Sequence, residues 1–208
     1  MPSPEIEAAA AESELIRNAL ELAERAHAGQ TRSGSGGMAY IHHPIAVAEL
    51  LAEHGCDEET VAAALLHDVV EDSETSVEEV AARFGPRVAR LVEVLTDDES
   101  VEPYERRKDE HRRRVEEAGG DALAIYAADK LSNVRVLHRA YANEGEPAGE
   151  EFKAPLDVKE DIWRGDLEML RRAAPELPFV DELASELERL REARARTTPS
   201  AGPAPPRS

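Results

Sequence analysis

Apolar residues in this chain recur at helical spacing, and no stretch alternates apolar with polar residues as a half-buried strand would. Leu15, Ala19, Leu22 and Ala26 mark the first apolar face, and Gly29 supplies its stop. Pro44 suits the first turn of a helix through IAVAELLAEHG, ended by Gly55, and Asp57 suits the cap of DEETVAAALLHDVVED. Ser76 and Glu79 have capping-box spacing before VEEVAARFG, and Gly85-Pro86 separates that segment from RVARLVEVLTDD. A charged helix over 104–117 follows, then a long one, DALAIYAADKLSNVRVLHRAYA, after Gly119-Gly120. Amphipathic segments at 158–174 and 179–194 complete the series. Aromatic residues are only 4% of the chain, so a core must come mainly from Ala, Leu and Val, which again favours helices. The expected fold is all-α: one domain of about eight to ten helices over residues 12–196, with a flexible N-terminus at 1–11 and a disordered Pro/Ser-rich tail at 197–208.

A formal net charge of −19 argues against DNA, RNA and anionic membranes as partners, because such binders present a basic stripe. An anionic substrate would need positive charge gathered at its site. The chain has no basic-then-apolar leader at its start and no apolar run of membrane-spanning length, so a cytoplasmic location is expected. Cys56 is the lone cysteine, which excludes an intrachain disulfide and reads as a small residue near a helix end.

Three segments carry groups that a core does not need. In LLHDVVED, Glu71 follows His67 by four residues and Asp72 follows Asp68 by four, so all four occupy one sector at the C-terminal end of an otherwise apolar helix. Carboxylates there repel one another and oppose the helix dipole, and a cation offsets both penalties. The alternative is a solvated helix end whose His caps a carbonyl. In IYAADKLSNVRVL, Asp129 lies in an apolar stretch and needs a partner, which is Lys130, an arginine elsewhere, or a metal. In YIHHP, His43 directly precedes the proline of a helix start, either as a simple cap or as a presented imidazole. Together the segments offer two His and two Asp, an N/O set suited to Mn²⁺, Fe²⁺ or Zn²⁺ in a hydrolytic site. His27 lies at a helix end beside the Gly/Ser-rich loop 29–42, while His54, His111 and His138 read as surface or capping residues.

The ordered series AERAHAGQTR, YIHHP, ALLHDVVED, FG, LT and ADKLSNVR resembles the hydrolase half of RelA/SpoT homologues. In particular it is similar to the stand-alone small alarmone hydrolases of HD type, over roughly residues 12–140. The resemblance implies an HD-type helical domain holding one Mn²⁺ ion through His43, His67, Asp68 and Asp129, and removal of the 3′-pyrophosphate from ppGpp and pppGpp. It implies that Glu71 and Asp72 position and deprotonate the attacking water. It further implies that Arg32 packs against the base and that Asn133 lies near the ribose.

The basic residues Arg106, Arg107, Lys108 and Arg112–Arg114 read plainly as a solvated face of ion pairs, and the resemblance singles out Arg107 as a pyrophosphate contact. Ser33 stands where the family commonly has Lys, Ala39 where it has Pro, and Lys130 and Ser132 where the long homologues have Arg and His. The loop SGSGGM is also longer than in the bifunctional enzymes. These departures bear on substrate identity and touch no implied metal ligand. Alternatives are an HD phosphohydrolase of another nucleotide, such as (p)ppApp, NADPH or a deoxynucleotide, and a nucleotide-binding regulator without turnover. The Glu71-Asp72 pair favours turnover, because binding alone needs no water-activating carboxylates. The stripe Trp163, Leu167 and Leu170 reads as core or subunit contact, which leaves a homo-oligomer open.

Overall fold

The computed structural model describes residues 4–32, 37–144 and 154–197, which form eleven helices and no strand. In chain order these are α1 (Pro4–Glu12), α2 (Glu14–Ala26), α3 (His42–Glu53), α4 (Glu58–Leu66), α5 (Val69–Asp72) and α6 (Val77–Phe84). They continue with α7 (Pro86–Leu95), α8 (Tyr104–Ala118), α9 (Gly120–Glu144), α10 (Leu156–Ala173) and α11 (Pro178–Thr197).

Two of these helices have a stretch buried on every side, which therefore lacks an amphipathic face. Every residue of α4 from Thr60 to Leu66 is buried, and so is α9 from Ala122 to Ala128. The small side chains Ala62, Ala63 and Ala64 let α2, α3 and α7 approach α4 closely. α11 covers α9 from one side, α3 and α7 cross it from the others, and α8 with α10 closes the remaining wall. The local start and stop signals act as expected. Asp57 accepts the Thr60 N–H at 2.9 Å and Ser76 accepts that of Glu79 at 3.2 Å. Gly85 takes a φ of 89° between α6 and α7, a conformation a side chain would strain, and Pro86 starts the next helix.

Two expectations are corrected. Residues 4–11, read as part of a flexible lead-in over 1–11, belong to α1, because Ile6 is fully buried and Ala10 nearly so against α2 and α3. The segment 57–72, read as one helix, divides into α4 and α5 at His67 and Asp68. Those two changes raise the helix total above the expected range. Thr197 still belongs to α11, whereas 198–208 of the expected tail, and loop residues 33–36 with Ser33 among them, lie outside the described residues. No helix among the described residues is long and apolar enough to cross a membrane.

If α1 is part of the core, Ile6→Ala should cost about 2–5 kcal/mol of unfolding free energy in urea titrations, as other buried Ile truncations do. Wild-type stability in that variant would mean that α1 does not stay docked.

Candidate active site

The centre forms where α3 starts, α4 ends and α9 passes. The first turn of α3 supplies His43, the break between α4 and α5 supplies His67 and Asp68, and the middle of α9 supplies Asp129. One nitrogen of each histidine and one oxygen of Asp129 lie within 4.8 Å of one another. His43 Nε2 is 3.1 Å from Asp129 Oδ1, and Asp68 Oδ2 is 3.2 Å from His67 Nε2 and 3.6 Å from His43 Nε2.

Each of these groups is held from behind, as metal-site side chains usually are. His67 Nδ1 donates to the Ala64 carbonyl at 2.8 Å, an acceptor that the end of α4 leaves open. That leaves Nε2 turned to the centre, a buried atom that faces Asp68 but has no well-formed hydrogen bond among the described residues. His43 Nδ1 meets the Ser132 hydroxyl at 3.2 Å, and the Tyr40 hydroxyl donates to Asp68 Oδ2 at 2.8 Å. Lys130 Nζ donates to Asp129 Oδ2 at 2.7 Å. Asp129 therefore takes one of the partners expected from the sequence, Lys130, on one oxygen, and at the other an imidazole that was not among those expected. The inward-facing His67 nitrogen, beside the buried Asp129 and half-buried Asp68 carboxylates, fits a divalent ion.

The electrostatics point the same way. Burial opposes ionisation of Asp129, yet Lys130 and His43 hold its carboxyl well below the ordinary range. Burial likewise opposes charge on His67, but Asp68 and Asp129 outweigh it and push the imidazole up to about 9. His43 falls to about 4 through burial and the Arg32 charge. A cation binding here competes with the His67 proton.

A cleft of two contiguous lobes, about 210 and 180 Å³, opens over this centre. The inner lobe reaches His43, His67, Asp68 and Asp129, while Arg32, Arg107 and Val136 are on the outer one and Asn133 on both. Glu71 lines both lobes, and its Oε2 accepts the Asp97 N–H at 3.2 Å. Burial and the Asp68 charge raise its carboxyl to about 7. Asp72 is not among the lining residues; its backbone carbonyl accepts from Gln30 Nε2 at 3.0 Å and ties α5 to the loop. Glu71 is thus a lining residue of the cleft and Asp72 is not, although the Asp72 charge acts on the Tyr40 hydroxyl in the cleft wall.

Arg32 stays at the rim despite the longer loop. A bridge between Thr31 and Ala39, with Tyr40 N–H donating to Gln30 at 3.0 Å, pinches the loop at its base. The Arg32 guanidinium donates to Asn133 Oδ1 at 2.7 Å, and Asn133 Nδ2 donates to Asp129 Oδ1.

The basic run on α8 divides by role. Arg106 and Arg113 form exposed pairs four residues along the helix, and Arg114 donates to the Val94 and Thr96 carbonyls at the end of α7. Arg107 and Lys108 face the cleft and meet Asp97 Oδ2 at 3.3 and 2.6 Å. Arg112 lies across Gly165 of α10, bonding Asp166 at 2.8 Å and the Ile162 carbonyl at 3.2 Å; a Cβ at Gly165 would sit 3.0 Å from its guanidinium carbon. That brace holds in place the helix that brings Lys159 and Trp163 to the cleft.

Tyr104, Lys108, Lys159 and Trp163 line both lobes and were not read as site residues from the sequence. Their only local signal is spacing, three to four residues apart on one helix face. Trp163 is a cleft wall as well as a core residue. His111, read as a surface or capping residue, is 6% exposed and lines the inner lobe.

A family model described as an HD domain matches residues 19–153. The chain is 40% identical over 130 residues to guanosine-3′,5′-bis(diphosphate) 3′-pyrophosphohydrolase MESH1 of Danio rerio, covering 60% of this chain and 70% of that protein. It is 39% identical over 156 residues to the guanosine-3′,5′-bis(diphosphate) 3′-pyrophosphohydrolase of Aquifex aeolicus, covering 73% of this chain and 22% of that one. A solved structure described as a metazoan ortholog of SpoT that hydrolyzes ppGpp aligns with a TM-score of 0.69 at 27% identity, covering 93% of this chain and 98% of that chain.

The Glu71 environment makes stability depend on pH. Its folded pKa of about 7 exceeds the ordinary 4.5, so the unfolded chain ionises first and metal-free stability falls as pH rises through that window. Glu71→Gln should flatten this part of the profile in thermal melts of the metal-free protein. An identical slope in both proteins would mean that Glu71 is solvated.

Proposed function

We propose that this chain, which belongs to the HD-domain family, is a metal-dependent hydrolase that removes the 3′-pyrophosphate from guanosine alarmones of the (p)ppGpp type. The observation that carries the reading is a cluster of His43, His67 and Asp129, with Asp68 beside the two imidazoles, in a cleft lined by cationic side chains in a chain whose net charge is −19. The activity is that for which its relatives are named.

In this reading His43, His67, Asp68 and Asp129 hold one Mn²⁺ ion, with Fe²⁺ and Zn²⁺ as competitors. The bound ion supplies a Lewis acid that makes water a usable nucleophile near neutral pH. Glu71, raised to about 7, accepts the proton of the attacking water at its carboxylate. Asp72 supports that group from behind by anchoring α5 through its carbonyl. Arg32 lays a planar guanidinium against the base and fixes Asn133 for the ribose. Arg107, Lys108 and Lys159 face the phosphates. The working compartment is the cytoplasm, where the soluble nucleotide would be met.

A panel of ppGpp, pppGpp, ppApp, NADPH and a deoxynucleoside triphosphate, assayed with Mn²⁺, tests this directly. The guanosine alarmones should turn over fastest, releasing pyrophosphate. Faster release from NADPH or a deoxynucleotide would reassign the substrate, and metal binding without turnover would favour a nucleotide-binding regulator. Glu71→Gln should lower kcat by about 10²–10⁴-fold with metal content retained, the range for a lost general base. His67→Ala should lose metal and activity together. Arg32→Lys should mainly raise KM, because an ammonium cannot lie flat against a base.

A further inference from the structure

Buried polar side-chain atoms without a hydrogen-bond partner gather around one place. Among the described residues, those of His67, Asp97, Arg107, His111 and Asp166 belong to side chains that line the cleft. Leaving such atoms unpaired is costly, so the cleft is built for polar contents.

His111 is the extreme case, because neither of its ring nitrogens has a partner. It lies on α8 one turn after Lys108, meets the Tyr126 ring edge-on at 5.4 Å, and places Nδ1 3.9 Å from Asp97 Oδ1. That gap is too long for a hydrogen bond. Each carboxylate nearby has a donor on at least one oxygen, while Asp97 Oδ1 and Asp166 Oδ2 are without one among the described residues. Asp97 takes Lys108, Asp129 takes Lys130, and Asp166 takes Arg112 and the Tyr126 hydroxyl. Burial, Lys130 and Lys108 together keep His111 neutral, its pKa lowered to about 3 against the pull of Asp97. A neutral imidazole retains one N–H donor, and beside two ammonium groups its natural complement is an anion, not a metal ion. His111 also stands outside the cluster of ligating atoms at the centre.

We propose that His111 donates a hydrogen bond to the pyrophosphate group in the inner lobe, and so is a further substrate-binding residue. The proposal rests on the hydrolase reading, since it takes pyrophosphate as the group that enters this lobe.

His111→Leu removes the donor while filling the same space with an apolar side chain, so folding should be preserved and is checked by thermal melts. His111→Gln keeps an N–H donor. Inhibition constants for pyrophosphate and for guanosine 5′-diphosphate would be measured on the full-length, metal-loaded protein with Mn²⁺ in excess. His111→Leu should weaken pyrophosphate about tenfold or more, the loss expected for a hydrogen bond to a charged group, and leave the diphosphate constant unchanged. His111→Gln should recover most of the affinity. An unchanged pyrophosphate constant in the Leu variant, or equal weakening of both inhibitors, would overturn the assignment. If the protein hydrolyses no guanosine alarmone, the same two dissociation constants are read by calorimetry. A selective loss of pyrophosphate binding would then uphold His111 while the proposed function falls.

Discussion

A carboxylate placed in the middle of a buried helix must find partners, and Asp129 organises the molecule around that requirement. Ala127 and Ala128 before it and Leu131 after it are fully buried and apolar, so those neighbours give it no polar partner. The partners come from three directions. Lys130 answers from the same helix, His43 from the start of α3, and Asn133, one turn along, carries the link to Arg32 in the loop. Losing any one leaves charge in the core, which is why the α3 start, the loop base and α9 hold one geometry. The same negative charge attracts the His67 imidazole and repels the Asp68 carboxylate, a repulsion that a bound cation would offset.

The rest of the cleft is a problem of charge placement. An acidic protein that binds a polyanion must gather cations where the ligand sits and neutralise them when it is absent. Asp97 does the second job for Arg107 and Lys108, and it also gives its N–H to Glu71. One acidic residue between α7 and α8 thus links the cations of the cleft to the Glu71 carboxylate. α10 completes the wall. Arg112, packed over Gly165, lets the two helices approach closely enough for Lys159 and Trp163 to reach the same space.

Much of this was legible in the chain before any coordinates, because the signals concerned act over a few residues. Capping by Asp57 and Ser76, the Gly85-Pro86 junction and the helical apolar period all depend on neighbours in sequence, and the motifs around His43, His67, Asp68 and Asp129 are short runs of the same kind. Their ordered spacing also carried the family resemblance, and with it the chemistry.

What tertiary structure alone decided concerns side chains whose neighbours are distant in sequence. α1 exists because Ile6 finds a pocket against α2 and α3, which its own weakly patterned segment does not announce. The helix holding His67 and Asp68 breaks without a glycine or proline, since His67 uses its ring to satisfy the Ala64 carbonyl. That break turns Glu71 into the cleft and keeps Asp72 out, although spacing on an unbroken helix treats them alike. His111 and Trp163 read as ordinary residues along the chain and became cleft walls only when α8 and α10 packed together. Sequence determines which residues can do chemistry and where helices begin and end, through local bonds and period. Helix packing determines which of those residues face the same space, because that depends on contacts dozens of residues apart.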